Sequence, residues 1–505
     1  LTTSPQSRAV AKSPYQLTNA DKTMLKQAVV YEDEALLVLN KPAGLPAQAG
    51  DGQTRSLDRL LALKYDAKSG KPRPYVVPGG RFNEMYGWDS YFIALGLLEH
   101  GEYELAQGML ENMAYQIKYY GKMLNANRSY YLTRSQPPFY TPYLAAFMAA
   151  CGEGVSAEWL AEHVGIAIAE YENVWMNPAT RLTEIGLNRY FGEGHGRPKE
   201  TEPGHFDFEL QKYADKHGLP VREFERLYDE GKIIEPALDR YFVHDRSMRE
   251  SGHDTTTRFD DVCADLACVD VNSILYRVET DLAALTDEYF GGRFDYQGKS
   301  YSADYWRAQA AKRQALMNDY LWHEAEGTFY DFNTVKGTPQ PFLSATNLLP
   351  LWAGCCTPAQ AEKLVRSQLP QLLQVGGIMS AEVCSDAPGP ERQWDGPYGW
   401  APHQILIWEG LQRYGYADEA AEAAFAWLKM LVRATVEYNG LITEKFNVQK
   451  ASHKVDAEYG NVGAAFEYVP AGGFGWTNAS FLLGQHYLSE AQKQVLNRLA
   501  DEVDA

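Results

Sequence analysis

The chain is poor in cysteine, in long apolar runs and in cationic side chains. Its 505 residues include six cysteines, too few and too scattered for a disulfide framework, and none forms a Cys-X-X-Cys pair. No stretch approaches the roughly 18 consecutive apolar residues that a membrane-spanning helix needs. The 47 Lys and Arg are outnumbered by 66 Asp and Glu, and a net charge of −19 repels nucleic acid and anionic lipid surfaces.

These shortages predict a cytoplasmic protein that binds neither nucleic acid nor membrane. The first 28 residues contain no signal-peptide pattern. The chain begins at Leu1 rather than at Met, which leaves a processed periplasmic form open.

Aromatic residues are abundant instead. They make up 13% of the chain, with 33 Tyr and 11 Trp, more than an ordinary core uses. Such side chains present a flat apolar face with a polar tip, and they suit the walls of a cleft that binds sugar rings.

Apolar residues recur at helical spacing along most of the chain. Leu105, Met109, Met113 and Ile117 form one such stripe. The same spacing predicts helices at 271–286, 302–321, 357–372, 402–414, 417–434 and 476–489. Strand-like alternation is rare, so the fold class is all-α, and a closed ring of helical hairpins is compatible with this pattern.

The predicted helices are separated by unusually long connections, which are rich in glycine, proline and aromatic residues. They lie at 121–140, 176–208, 241–262, 373–401 and 440–475. Connections of this length inside a compact domain are usually functional or disordered, and the aromatic content favours function.

Two of these loops carry the same chemical theme. Residues 78–91 are Pro-Gly-Gly-Arg-Phe-Asn-Glu-Met-Tyr-Gly-Trp-Asp-Ser-Tyr, and residues 393–402 are Gln-Trp-Asp-Gly-Pro-Tyr-Gly-Trp-Ala-Pro. Taken alone, Asp89 and Ser90 are equally well explained as caps of a helix start. The recurrence of acids and large aromatic plates before a second predicted helix favours a binding site.

Both stretches resemble the signature motifs of the trehalases, the family-37 glycoside hydrolases. The likeness continues through Leu-Asn-Ala-Asn-Arg-Ser-Tyr-Tyr at 124–131, Arg-Glu-Ser-Gly-His-Asp-Thr-Thr at 249–256, Glu-Lys-Phe-Asn-Val at 444–448 and Gly-Phe-Gly-Trp-Thr-Asn at 473–478, and it spans about residues 70–490. The residues of several blocks are similar to those of the neutral, cytosolic branch of the family. The resemblance implies an (α/α)6 toroid and an α,α-trehalase that hydrolyses trehalose to two glucose molecules with inversion.

An inverting glycosidase needs one carboxylic acid to protonate the leaving oxygen and one carboxylate to activate water, about 6.5–9.5 Å apart. The resemblance assigns Asp254 as the general acid and Glu444 as the general base. On their own, Asp254 would be taken for a turn aspartate after Gly252 and Glu444 for a solvated acid beside Lys445.

The resemblance also places a set of residues around the bound disaccharide. They are Arg81, Phe82, Trp88, Asp89, Asn125, Arg134, Gln136, Arg249, Gly252 and Trp394, with Glu200 and Glu467 on the leaving glucose. One departure concerns this leaving-group subsite. Pro198 stands where periplasmic relatives carry an arginine two residues before Glu200, and Arg197 is the candidate substitute.

Neither a metal nor a cofactor is expected. The eleven histidines include no His-Glu-X-X-His pair. The sequence has no calcium loop of the Asp-X-Asp-X-Asp-Gly type, and Gly79 and Gly80 lack the Gly-Lys-Ser/Thr ending of a phosphate loop. The expected partners are trehalose and water.

Two alternatives stay open at this stage. The altered subsite near Pro198 is compatible with an inverting glycosidase acting on another α-glucoside, and a cleft of this kind also serves a non-catalytic sugar-binding or sensor protein.

The N-terminal part differs in character, since residues 29–45 have the pattern of a short strand and a turn. Residues 17–66 resemble the start of RluA-type pseudouridine synthases, but the catalytic His-Arg-Leu-Asp motif of that family is missing. We therefore predict residues 1–66 as an N-terminal extension or cap and 67–505 as the catalytic domain.

Overall fold

The structure is a computed structural model. It describes residues 75–80, 82–198, 200–201, 204–385, 391–437, 440, 442–455 and 473–501, together with short pieces at 19–20, 23–24, 29–32 and 37–39. The contacts divide the chain into two units, Leu1–Pro74 and Tyr75–Ala505.

In the first unit, β1 (Val29–Glu32) pairs antiparallel with β2 (Leu37–Leu39). These strands agree with the strand and turn pattern predicted at 29–45. Most of the segment that resembles pseudouridine synthases lies outside the described residues, and the boundary at 66 stays a prediction.

The second unit is mainly helical. Its helices, in chain order, are α1 (Gly87–Glu99), α2 (Tyr103–Tyr120), α3 (Tyr140–Cys151), α4 (Ala157–Glu170), α5 (Asp207–His217), α6 (Val221–Asp229), α7 (Pro236–Glu250), α8 (Val269–Phe290), α9 (Ala303–Tyr320), α10 (Leu349–Ala353), α11 (Pro358–Ser367), α12 (Leu369–Leu372), α13 (Ala401–Arg413), α14 (Ala417–Glu437), α15 (Gly475–Gly484) and α16 (Glu490–Asp501).

Six of these helices close into an inner ring. Contacts run from α1 to α3, then to α8, α10, α13 and α15, and from α15 back to α1. Each ring helix is followed in the chain by a second helix, and α2, α4, α9 and α14 pack against the ring helix that precedes them. This arrangement is the (α/α)6 toroid, so the expected fold class is confirmed.

The helices that the sequence predicts are present close to their expected positions, whereas α3, α5, α6 and α10 were not predicted. Met109, Met113 and Ile117 of α2 are buried, and Gly121 ends that helix in the left-handed conformation with φ 81°. The Ser156 side chain accepts a hydrogen bond from Trp159 N at the start of α4, and Thr357 with Gln360 forms a capping box on α11.

One predicted connection is wrong. Residues 241–250 of the expected loop 241–262 form the last turns of α7. Periodicity missed this helix because its buried side chains include polar residues such as His244, Asp245, Arg246 and Glu250. Helices α5, α6 and α7 make a small insertion with its own apolar cluster, which contains Phe206, Leu210, Phe224, Leu238 and Phe242.

The strands of the second unit are short and antiparallel. They are β3 (Leu266–Ala267), β4 (Arg293–Tyr296), β5 (Lys299–Ser302), β6 (Trp322–His323), β7 (Thr328–Phe329), β8 (Asp331–Asn333), β9 (Thr338–Gln340), β10 (Leu373–Gln374), β11 (Gly377–Ile378), β12 (Tyr398–Trp400) and β13 (Lys445–Asn447). The β12–β13 pair places Trp400 opposite Lys445. No described helix combines the length and the apolar character needed to cross a bilayer.

Candidate active site

A cavity of about 350 Å³ is lined by the loops that precede α1, α3 and α13, by the turn after α7 and by the residue before β13. It contains all the predicted site residues that the structure describes: Phe82, Trp88, Asp89, Asn125, Arg134, Gln136, Glu200, Arg249, Gly252, Asp254, Trp394 and Glu444. Arg81 and Glu467 lie outside the described residues. The sequence blocks that are far apart in the chain therefore meet at one place.

The cavity wall also includes residues that the sequence alone did not assign to the site. They are Glu84, Tyr86, Tyr130, Tyr131, Thr201, Gln393, Trp400 and Trp476. Seven of these eight lie inside the motif blocks named above, so membership of a block was the available signal, and Thr201 follows Glu200 directly.

Asp254 follows the C-terminus of α7 in a tight turn. Gly252 adopts φ +77°, and a Cβ there would lie 2.6 Å from Cε2 of Trp88. A glycine is therefore required both by the backbone conformation and by the close approach of the indole. The turn brings the Asp254 side chain, 36% exposed, into the cavity.

Residues 393, 394 and 395 each make hydrogen bonds to the turn that carries Asp254. The Gln393 side-chain amide donates a hydrogen bond to the carbonyl oxygen of Asp254, and Trp394 N donates to Thr255 O at 3.0 Å. The buried Asp395 carboxylate accepts hydrogen bonds from Thr256 Oγ1 at 2.6 Å and from Thr257 N at 3.1 Å. The motif at 393–402 thus supports the turn that carries Asp254, the predicted general acid.

Opposing influences determine the protonation of Asp254. Burial raises the pKa of its carboxyl to about 6, although the guanidinium groups of Arg249 and Arg134 oppose the shift. Arg249 Nη1 lies 3.5 Å from Asp254 Oδ2 and is itself held by Asp245, whose Oδ2 accepts from Arg249 Nε at 2.9 Å. A pKa near 6 suits a group that must carry a proton near neutral pH.

Glu444 is almost buried and lies beside a cation. Its Oε2 is 3.4 Å from Nζ of Lys445, a fully buried lysine, and its side chain is 8% exposed. Trp476 Nε1 donates to the Glu444 carbonyl oxygen at 3.1 Å, and Thr477 Oγ1 donates to Thr443 O at 2.9 Å, which anchors this segment on α15.

Asp89 is a third carboxyl group in the cavity. Burial raises its pKa well above the usual range, its own backbone N–H offsets part of this shift, and the negative charges of Glu444 and Asp254 raise the pKa further. All but one of these influences favour the protonated form of Asp89, which can donate a hydrogen bond to a hydroxyl group.

Two arginines of the cavity wall, Arg134 and Arg249, lie close enough to Asp254 to influence its charge. Arg134 is paired with Glu200. Burial alone raises the pKa of Glu200, but Arg134 and Arg249 outweigh it and hold the pKa below the usual range. Arg197 is not part of the cavity wall, since its guanidinium binds Asp229 at 2.9 Å and Glu225 at 3.2 Å. The cation beside Glu200 is therefore Arg134, and not Arg197 as the sequence suggested.

A buried ion pair organises this side of the cavity. Glu250, fully buried, accepts hydrogen bonds from Arg181 Nε at 2.8 Å and from Arg181 Nη2 at 2.7 Å. The same carboxylate accepts from Ser135 N at 2.9 Å and from Phe191 N at 3.0 Å. It thereby fixes the loop that carries Arg134 and Gln136 against the helix end that carries Arg249.

Indole rings form the apolar part of the wall. Trp394 and Trp400 are stacked, with ring centroids 4.0 Å apart and an interplanar angle of 5°. Trp88 lies 5.7 Å from Trp394, and Trp476 lies 5.8 Å from Trp400. Such surfaces pack on the C–H faces of pyranose rings.

The histidines near the site are paired with each other. His253 Nε2 and His403 Nε2 lie 3.0 Å apart, and burial lowers the pKa of His253 to about 3. Among the described residues, Cys268, Asp270 and Asp331 form a group with metal-ligand spacing. Arg258 occupies both carboxylates, at 3.0 Å from Asp270 and 2.7 Å from Asp331, so this group is an internal ion-pair network.

Comparison with known proteins agrees with this geometry. The chain is 46% identical over 435 residues to the cytosolic neutral trehalase of Kluyveromyces lactis and covers 57% of its length. It is also 46% identical over 434 residues to the cytosolic neutral trehalase of Saccharomyces cerevisiae and covers 58% of it. These alignments include 84% of the present chain, which spans somewhat under three fifths of the length of both relatives.

Solved structures show the same fold. A neutral trehalase structure from Saccharomyces cerevisiae matches with a TM-score of 0.76 and 42% identity, covering 85% of this chain and 76% of that one. A GH63 mannosylglycerate hydrolase from Thermus thermophilus matches with a TM-score of 0.52 at 17% identity, covering 84% of this chain and 98% of that one, a likeness of fold alone. The trehalase family model matches residues 48–489, and with the motif residues gathered around one cavity this chain belongs to the trehalase family.

Proposed function

We propose that this chain hydrolyses α,α-trehalose to two molecules of glucose with inversion, Asp254 acting as general acid and Glu444 as general base. The observation that supports this proposal is that the two carboxyl groups line one cavity in different surroundings. Burial favours the protonated form of Asp254, whereas Glu444 lies 3.4 Å from the ammonium group of Lys445.

In the proposed reaction the two carboxyl groups have different roles. Asp254 gives its proton to the glycosidic oxygen as the C–O bond breaks, and Glu444 removes a proton from the water that attacks the anomeric carbon from the opposite face. Asp89 and the indole faces hold the glucose that is attacked. Arg134, Glu200 and Arg249, the charged groups around Asp254, bind the hydroxyls of the leaving glucose.

The substrate is the finer part of the proposal. Glu200 lines the cavity and is paired with Arg134 despite the Pro198 departure, so a polar subsite for a second sugar is present. Polar groups built for particular hydroxyls discriminate strongly against sugars that lack them. This favours trehalose over another α-glucoside.

The test is proton NMR of trehalose digestion at early times. Inversion at one anomeric centre yields one β-glucose, while the leaving sugar is released as α-glucose, so equal initial amounts are expected. Release of α-glucose alone would contradict inversion. Unchanged trehalose after prolonged incubation would contradict the proposed substrate. If maltose and sucrose also stay unchanged, the result favours the non-catalytic alternative.

The proposed setting is the cytosol, with trehalose and water as partners and no nucleic acid. Two observations support it: the relatives above are named cytosolic, and the six cysteines carry free thiols. The charge of −19 opposes binding to a phosphate backbone.

A further inference from the structure

The Gln393 side chain connects the turn that carries Asp254 to the lysine that follows Glu444. It is 8% exposed and lines the cavity. Its Nε2 donates to the carbonyl oxygen of Asp254, while its Oε1 accepts from Lys445 Nζ at 2.5 Å. Lys445 follows Glu444 in the chain, so one amide touches both the acid-bearing turn and the base-bearing strand.

The chemistry of the neighbours fixes the orientation of this amide. An ammonium group can only donate, so the oxygen of Gln393 must face Lys445. A backbone carbonyl can only accept, so the nitrogen must face Asp254. Glutamine thus supplies a donor and an acceptor at these two ends without carrying a charge.

The Lys445 end of the bridge is rigid. Lys445 is fully buried, its Nζ lies 4.9 Å from the Trp400 ring centroid, and its backbone is paired with that of Trp400 in the β12–β13 sheet. Trp400 Nε1 in turn donates to the Gln393 carbonyl oxygen at 2.9 Å. The strand β13, which follows Glu444, is thus held in place, and Gln393 connects it to the turn that carries Asp254.

We propose that Gln393 is a positioning residue that sets the place of the general acid Asp254 relative to the base-bearing strand through Lys445. The proposal rests on the proposed function. Inverting hydrolysis needs the acid and the base on opposite faces of the sugar, with room for one water between the base and the anomeric carbon. A misplacement of about 1 Å costs on the order of a hundredfold in rate.

Two variants separate the ends of the bridge. Gln393→Glu retains the volume and the contact with Lys445 but replaces the N–H donor facing Asp254 by an acceptor. Gln393→Leu removes both hydrogen bonds. The matched control is Gln404→Leu, because Gln404 is a buried glutamine that also makes two side-chain hydrogen bonds, both of them to the backbone of Ile378, but does not line the cavity.

The experiment compares trehalose with α-D-glucosyl fluoride, whose fluoride leaves with little help from an acid. For both Gln393 variants we expect kcat on trehalose to fall about a hundredfold with KM changed less than about threefold, and kcat on the fluoride to fall less than about tenfold. Gln404→Leu should leave the ratio of the two activities unchanged. Thermal unfolding of each variant establishes that it is folded.

Equal losses on both substrates, or folded Gln393 variants with trehalose turnover within about threefold of the unchanged protein, would overturn the positioning role. Those outcomes leave the proposed function standing, because the unchanged chain still cleaves trehalose. An unchanged chain that releases no glucose from trehalose removes the proposed function and this inference together.

Discussion

Arg249 Nη1 lies 3.5 Å from Asp254 Oδ2, while Nε of the same guanidinium donates to Asp245 at 2.9 Å. The cation is thus shared between two carboxylates. Burial raises the pKa of Asp254 more than the guanidinium groups of Arg249 and Arg134 lower it, and the pKa is about 6.

Replacing either proposed catalytic carboxyl should abolish most of the activity. We expect Asp254→Asn and Glu444→Gln each to lower kcat on trehalose by at least about a hundredfold, the usual contribution of a general acid or base. Glucose release at saturating trehalose measures this effect. Asp304→Asn, on a side chain that is 92% exposed, is the matched control and should keep full activity. Near-normal turnover in either site variant would remove that assignment.

The pH profile should show a basic limb that belongs to Asp254. The carboxyl is protonated below its pKa of about 6 and ionised above it, so kcat/KM should fall about tenfold per pH unit above that value. Measurement of kcat/KM between about pH 4.5 and 8.5 tests this expectation. In Asp254→Asn the limb should vanish from the residual activity. A profile of the unchanged chain that stays flat from about pH 5 to 8 would contradict the assignment of Asp254 as the acid.

The same shift predicts that Asp254→Asn stabilises the fold. A carboxyl whose folded pKa of about 6 exceeds its unfolded value of roughly 3.9 binds more protons in the folded state between these values, so stability falls as pH rises through that window. Above it the ionised Asp254 destabilises the fold, and asparagine removes that cost. At about pH 7.5 we expect a higher Tm for Asp254→Asn, with the difference shrinking below about pH 4. A lower Tm for the variant in the same buffer would show that the ionised carboxylate contributes to stability.

The sequence predicted the ring helices α1, α8, α13 and α15 and twelve of the residues that line the cavity, but not α3, α10 or the hydrogen bonds inside the site. Apolar periodicity finds Met109 and Ile117 because an amphipathic helix needs one apolar face. It misses α7, whose Arg246 and Glu250 are buried in hydrogen-bonded pairs that no hydropathy pattern marks. The resemblance to the family motifs is what identified Asp254 and Glu444 as the candidate acid and base. The Gln393 bridge was not predictable because its partners are a backbone carbonyl and a lysine, both of them distant in the chain.

Breaking the buried pair between Arg181 and Glu250 should destabilise the protein strongly. Arg181→Met leaves the fully buried Glu250 carboxylate without its cation, which costs about 3–5 kcal/mol. Urea unfolding followed by fluorescence gives the difference. The matched control is Arg366→Met, because that arginine is 74% exposed in an ion pair with Glu362, and its loss should cost less than about 1 kcal/mol. Similar midpoints for the two variants would refute this ranking.

Gly252→Ala should damage activity more than stability. A Cβ at this position would lie 2.6 Å from Cε2 and 2.7 Å from Cζ2 of Trp88, so the indole that lines the cavity must shift. The φ of +77° adds about 1–2 kcal/mol of backbone strain for alanine. Gly218→Ala separates the two effects, since Gly218 has φ +64° and no atom within 4 Å of the point that an alanine Cβ would occupy, which leaves the strain without the clash. We expect a larger loss of Tm in Gly252→Ala than in Gly218→Ala, because the clash adds to the strain, and a fall of at least about tenfold in kcat/KM on trehalose in Gly252→Ala alone, because a displaced Trp88 no longer fits the sugar. Equal kcat/KM in the two variants would mean that the contact between Gly252 and Trp88 does not shape the sugar site.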